Sequence, residues 1–312
     1  MNNPSSRAPR QSTVTAPEAA SGMALADFLA DRFPQVGRAE WLRRLAAGGV
    51  TDDAGAPLPA DWVVPGRIRI RYSREVAAEP AIPFEETIIY RDERLLVVDK
   101  PHFVPVTPSG PWVNECLLYR LMRKTGCGDL VPLHRLDRET AGVTLFSAEP
   151  ASRAAYSALF MKGRARKRYE AIAALPAEAE AGGGEWEVEG RIVKGEPWFR
   201  MKEIPGPANA RTRIRLIEAR GVWGRFSIEP MSGKQHQIRL HMARIGAPIV
   251  NDWLYPELQP EPKAGVDRPL LLLAGELAFR DPVTGDERVF RSGLRLDWPA
   301  APPGEGSLSP GG

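Results

Sequence analysis

The stretch that most limits how this chain can fold is VPLHRLDRETAGVTLFS, Val131–Ser147. It begins apolar, turns charged from His134 to Glu139, and passes through Thr140-Ala141-Gly142 into the strand-like Val143–Ser147. Asp137 stands between Arg135 and Arg138 just ahead of that strand. Nearby cations favour an ionised carboxylate, and an ionised carboxylate is a usable nucleophile. The same residues also suit a plain ion-paired turn feeding a strand, since structural ion-pair networks are common. The rest of the chain has to decide between the two.

At 312 residues the chain has room for one large domain with a small appendage. Two cysteines, Cys116 and Cys127, supply neither a disulfide framework nor a cysteine-rich zinc site, which suits a reducing cytoplasm. A formal charge of +3 is compatible with a nucleic-acid partner without requiring one. No apolar run is long enough for a membrane span. Residues 1–22, rich in Ser, Pro and Ala, read as a disordered tail, as do the Pro/Gly-rich residues 299–312.

Between the tails, Leu25, Phe28 and Leu29, then Trp41, Leu42 and Leu45, recur at helical spacing and predict helices over 23–33 and 38–47. Val50–Leu58 reads as a hairpin around Gly55. Trp62–Tyr72 alternates, with Ile68 and Ile70 on one side and Arg67, Arg69 and Arg71 on the other. Residues 23–72 thus form a small α+β module, and 73–83 a linker. Ile88–Pro101 predicts two strands around a charged turn. Asn114–Lys124 and Ala151–Lys162 predict helices, the latter burying Ala155, Leu159 and Met161. Cys127 reads as a loop residue rather than a nucleophile.

The basic run Arg164–Arg168 leads into alternating Tyr169–Ala173. It reads either as a solvated helix end or as a phosphate track. Ala177–Glu185 reads as a flexible loop, followed by antiparallel strands over Trp186–Ile192, Asn209–Glu218 and Val222–Pro230. In Met231–Ile249, Ser232 and Gln235 have capping-box spacing, which predicts a helix start there. Ile238, Met242 and Ile245 form its apolar face, and Gly246 with Pro248 its stop. Lys234, Gln235 and His236 at that start would suit a phosphate. Zinc is a poor alternative, because the five-residue spacing of His236 and His241 does not align two imidazoles and no third ligand is evident.

Three runs resemble the motifs of the RluA-type pseudouridine synthases, cofactor-free enzymes that isomerise uridine in RNA. They are His134-Arg135-Leu136-Asp137 with Thr140 and Gly142; Lys167-Arg168-Tyr169; and His236-Gln237 with Arg239, His241, Gly246, Pro248, Ile249, Asp252 and Tyr255. Val-Val-Asp-Lys-Pro, ending at Pro101, is similar to the segment that opens their catalytic domain, and the likeness runs from about Phe84 to Trp298. Ala141 stands where the family usually has Ser, and Asp99, Phe103 and Thr107 where it has Asn, Gly and His. Leu273-Ala274 replaces a usual His-Ala, a departure read as lying away from the chemistry. Residues 23–72 resemble loosely an alpha-L RNA-binding motif, although Asp52-Asp53 would repel phosphate.

The resemblance implies an α+β fold: a mixed, mainly antiparallel sheet domain over 84–298 with flanking helices and a central cleft, behind the small module. It implies Asp137 as catalytic aspartate, Arg239 as its partner and Tyr169 against the target base. Expected RNA contacts are Arg135, Arg138, Lys167, Arg168, Lys234, His236 and Gln237. Arg135 is also the candidate to fill the space left by a flipped-out uridine. No cofactor or metal is expected. The partner would be RNA, large-subunit ribosomal RNA ahead of transfer RNA, met by a cytoplasmic monomer. A silent RNA-binding protein on the same fold, and a carboxylate-based nucleoside or glycoside hydrolase, remain open; the latter needs a second carboxylate, for which Glu139 is the nearest in sequence.

Overall fold

A computed structural model describes residues 6–176, 179, 184–260 and 268–299. The chain divides into two compact units, Met1–Ala81 with Thr107–Tyr119, and Ile82–Val106 with Arg120–Gly312.

In the first unit, β1 (Ser6–Arg7), β2 (Ser12–Ala16), α1 (Leu25–Arg32), α2 (Arg38–Ala46), β3 (Val50–Thr51), β4 (Ile68–Tyr72) and β5 (Glu75–Val76) follow in order. The two helices bury the apolar stripes the spacing requires: Leu25, Phe28 and Leu29 from one, Trp41 and Leu45 from the other. A three-stranded sheet in the order β2-β4-β3 shares that core. Residues 12–16 correct the expectation of a disordered tail. Val14 faces Ile70 and Ala16 faces Ile68 across an antiparallel ladder, and both are buried. The Ser/Pro/Ala-rich composition of residues 1–22 hides this short strand. The expected tail residues 1–5 and 300–312 lie outside the described residues.

The expected linker carries β5, and Glu79 accepts the backbone N–H groups of Val113 (2.6 Å) and Glu115 (2.5 Å), so part of it is tied into this unit. The arginines in and just before β4 are not a free basic stripe. Arg69 and Arg71 lie 3.5 and 3.0 Å from Asp53, and Arg67 lies 3.9 Å from Glu18.

The second unit is built on one sheet. Its strands are β6 (Thr87–Arg91), β7 (Leu95–Lys100), β8 (Val131–Pro132), β9 (Ala141–Ser147), β10 (Arg166–Ala174), β11 (Glu185–Lys194), β12 (Met201–Ile204), β13 (Ala210–Arg220), β14 (Trp223–Pro230), β15 (Leu272–Arg280) and β16 (Glu287–Arg291). The order is β12-β11-β13-β14-β10-β15-β9-β7-β6, with β16 on β15 and β8 on β9. Every neighbouring pair is antiparallel except β15 and β9. The fold is therefore the mixed, mainly antiparallel α+β architecture expected.

Three helices accompany the sheet: α3 (Leu117–Thr125), which begins in the first unit, α4 (Arg153–Met161) and α5 (Gln237–Arg244). Tyr156 and Leu159 of α4 pack with Leu95, Val97, Val143, Leu145, Leu277 and Phe279. Ile238 and Met242 of α5 pack with Ala171, Ile172, Ile214, Phe226 and Ile228. Met161, expected in the core, is the last residue of its helix and 85% exposed. Most of the expected loop from Ala177 lies outside the described residues, and Glu185 already belongs to β11.

Candidate active site

The loop between β8 and β9 is fastened at both ends. At its start, His134 stacks on Phe160 with ring centroids 4.8 Å apart and accepts the Leu145 N–H at Nε2 (3.1 Å). Burial, with Lys167 nearby, drives its imidazole down to about 3, so it is a neutral acceptor at physiological pH. At its end, the fully buried Lys100 donates to the carbonyls of Pro101 (3.0 Å), Val104 (2.8 Å) and Arg138 (3.0 Å). Burial brings this ammonium down to about 7, against the pull of Glu139 and Asp137. Leu136 is buried, and the Thr140 N–H donates to the Asp137 carbonyl (3.1 Å), closing a turn that leaves the Asp137 carboxyl partly exposed.

Past the turn, Gly142 has φ +114°, and a Cβ there would overlap the backbone of Ala274. Leu273 and Ala274 of β15 are the parallel register partners of Ala141 and Gly142, and Ala274 also pairs with Tyr169. The Leu273-Ala274 departure thus pairs with the strands that carry Gly142 and Tyr169. Its partner Ala141 is the other departure, and both lie in the apolar core. Two further departures have local reasons. Asp99 accepts Ser292 Oγ–H and the Gly293 N–H, each at 2.7 Å. Phe103, where the family usually has Gly, has a left-handed φ of +67° and stacks on Phe84 at 5.7 Å.

Asp137 meets α5 across this loop. Arg239 Nη1 lies 3.8 Å from one carboxylate oxygen, and His236 Nε2 lies 3.9 Å from the other. Arg239 is 1% exposed and gripped by Asp252, to which Nε donates at 2.7 Å and Nη2 at 2.5 Å. The Tyr255 ring lies 5.4 Å from the guanidinium carbon. Nη1 is buried without a hydrogen-bond partner, so the one free edge of the guanidinium is the edge aimed at Asp137. Burial opposes the charge of Arg239, but Asp252, Asp137 and Glu139 more than restore it.

The helix starts at Gln237, with a left-handed His236 (φ +54°) before it, and not at the Ser232 cap that the spacing predicted. Ser232 Oγ instead accepts the Arg211 N–H (3.0 Å) and donates to Gln237 Oε1 (2.8 Å). Gln237 also accepts the Lys234 N–H (3.0 Å) and donates to Arg211 O and Thr212 Oγ1, both at 2.9 Å. Expected as an RNA contact, it is a buried strut that fixes the approach to α5. His241 bonds Thr212 Oγ1 at 2.8 Å, and burial with Arg244 nearby takes it down to about 4.

Tyr169 enters from β10 at a register shift after Arg168. Burial and the charge of Asp137 push its phenol well above the ordinary range, so it keeps its proton. Of the other expected RNA contacts, Lys167 is turned inward to Ser232 O (3.2 Å), Arg168 pairs with Glu229 (3.2 Å) and Arg138 with Glu139 (2.8 Å). Arg135 and Lys234 are exposed. Burial would raise the Glu139 carboxyl, but Arg138 and Arg239 hold it below its usual value. Asp252, Tyr255 and Lys100 were visible in the motifs without an assigned role; His102, whose Nδ1 meets Glu139 O at 2.6 Å, carried no signal.

A family model described as RNA pseudouridylate synthase matches residues 94–244. The dual-specificity RNA pseudouridine synthase RluA of Haemophilus influenzae is 30% identical over 210 residues, 66% of this chain and 91% of the relative. The chain belongs to the RluA-type RNA pseudouridine synthases. It is therefore an isomerase acting on RNA. The ribosomal large subunit pseudouridine synthase D of Xylella fastidiosa is 28% identical to this synthase over 276 residues, 85% of this chain and 80% of the relative. Among solved structures, human RNA pseudouridylate synthase domain containing 1 superposes with a TM-score of 0.55 at 20% identity, covering 69% of the synthase and 85% of that chain. Among the described residues, no helix of the synthase is long and apolar enough to cross a membrane.

Proposed function

We propose that Asp137 is the catalytic carboxylate for converting uridine to pseudouridine in structured RNA, large-subunit ribosomal RNA ahead of transfer RNA. The observation that carries this reading is the single unpartnered edge of a buried guanidinium, Arg239 Nη1, aimed at Asp137 from 3.8 Å. The isomerisation breaks the bond from ribose C1′ to N1, turns the uracil and joins its C5 to C1′. No atoms are gained or lost, and no electrons pass to an acceptor. Asp137 assists at the ribose, either by attack on C1′ or by taking the neighbouring proton, and both need an ionised, correctly aimed oxygen.

Arg239 and His236 face different oxygens of that carboxylate. Burial holds His236 below its ordinary value, so the ring is neutral. Tyr255 spends its own proton on Met201 O (3.1 Å), so His236 Nδ1 is the donor to Tyr255 Oη (2.9 Å). Tyr169, a neutral phenol, offers a ring face and a hydrogen-bond donor to the detached base. Arg135, exposed beside the carboxylate, fills the stack left by the extruded nucleotide.

The ribosomal preference is supported by span. The relative named for the large ribosomal subunit aligns over 85% of this chain, the dual-specificity relative over 66%. Pseudouridine mapping of total RNA, with the gene intact and deleted, tests the proposal. One or a few ribosomal sites should disappear and return with wild type but not with Asp137→Asn. If every site persists, the proposal is wrong; if the lost sites lie in transfer RNA, the substrate order is reversed. Release of free uracil would mark a hydrolase instead.

A further inference from the structure

The hairpin joining β11 to β12 ends in the most exposed aromatic side chain of the described residues. Trp198 is 79% exposed, whereas every other described Trp, Phe and Tyr is at least partly buried. An indole left in water forgoes the burial that normally stabilises it, and here the backbone holds it out. The Gly195 N–H donates to Arg200 O (2.9 Å) and the Arg200 N–H to Pro197 O (2.8 Å), closing a tight tip.

The tip is braced toward the active site. Trp198 stands edge-on to Phe199 (5.8 Å, 83°), which leans on Trp253 (5.9 Å). Arg200 lies over the Tyr255 ring at 5.1 Å and donates to Pro256 O at 3.0 Å. At the foot of the hairpin, the Met201 N–H donates to Tyr255 Oη (2.8 Å), the same oxygen that meets His236. From the hairpin to the catalytic carboxylate is thus one tyrosine and one histidine.

We propose that Trp198 is a stacking platform for an unpaired nucleobase of the substrate RNA near the target uridine. The inference rests on the RNA-modifying function proposed above. An exposed ring face accepts any base, and such stacking is tolerant of sequence. The arms of the hairpin carry exposed Lys194 and Lys202, one on each face of the ribbon, where they add positive charge for an RNA backbone. Glu196 is also exposed at the tip, which favours contact with a base there over contact with a phosphate.

The test compares full-length wild type, Trp198→Ala and Trp198→Tyr on total RNA from a strain lacking the gene. Trp198→Ala should raise KM for pseudouridine formation about tenfold or more with kcat within about twofold, and Trp198→Tyr should return KM to within about threefold. In parallel, single-stranded oligouridine should quench the tryptophan emission of wild type and fail to quench that of Trp198→Ala. If wild type is active and KM of the alanine variant stays within about twofold, or if quenching persists in that variant, the platform is refuted. A change in oligomeric state with KM unmoved would make the indole a protein contact and also refute it. If wild type forms no pseudouridine on this RNA, the catalytic assignment fails, and the quenching comparison still decides the platform.

Discussion

Arg239 is one residue serving two carboxylates on unequal terms. Asp252 takes two of its N–H groups at hydrogen-bond distance, and Asp137 faces the third nitrogen at 3.8 Å. The first pair orients the guanidinium; the second is an ion-pair contact too long for a hydrogen bond. Asp252 is thereby a positioning residue, acting through Arg239. An amide at 252 would turn N–H groups toward a guanidinium that has only N–H groups to offer. Asp252→Asn should lower kcat about 100-fold with KM within about threefold, and lower stability by about 3 kcal/mol, because a buried charge loses its partner. Steady-state kinetics with chemical denaturation measure both, and an unchanged kcat would show that Arg239 holds its place without Asp252. Sequence alone pointed to Asp137, Arg239 and Tyr169 through their motifs. It could not show that Gln237 is spent on Ser232, Arg211 and Thr212, because hydrogen-bond partners from other strands leave no local pattern.

At the level of elements, the central crossing of β9 and β15 sets the site. Gly142 lies against the Ala274 backbone, and Ala274 is also the register partner of Tyr169, so one close approach aligns the strand after Asp137 with the strand of Tyr169. Gly142→Ala must push backbone against backbone at a φ that alanine avoids. It should cost about 3 kcal/mol or more and lower activity by misaligning the two strands. Urea unfolding gives the first quantity, and a loss under about 1 kcal/mol would mean the strands part easily. Elements with a strong local period were legible: α1, α2, α4 and the alternating strands. The start of α5 was not, because Ser232 and Gln235 mimic a cap while the backbone turns left-handed at His236. Strand β2 was missed because its pairing with β4 is settled by residues more than fifty positions away.

For the whole molecule, two buried neutral imidazoles link folding to acid. His134 and His241 sit at about 3 and about 4 in the fold, below their ordinary value near 6.5. Between those limits the unfolded chain holds protons that the folded chain refuses. The stability these two histidines contribute is therefore fully present above about pH 6.5 and is lost as pH falls toward 4, by about 1 kcal/mol per pH unit for each. Urea midpoints at pH 7 and pH 5 should differ accordingly, and His241→Asn should flatten the slope; a midpoint that holds steady to pH 5 would place both imidazoles in contact with water.

Ala141 and Leu273 face each other as apolar partners at a single crossing, so the two positions pack as one unit. Ala141→Ser alone would strand a hydroxyl beside leucine, and Leu273→His alone an imidazole beside a methyl; each should cost about 1–3 kcal/mol. Made together they should recover about 1 kcal/mol or more of the summed loss, which a double-mutant cycle on urea stability reads directly, and simple additivity would show the positions to be independent. With coupling of that size, a polar side chain at either position is tolerated only when its partner is changed to match.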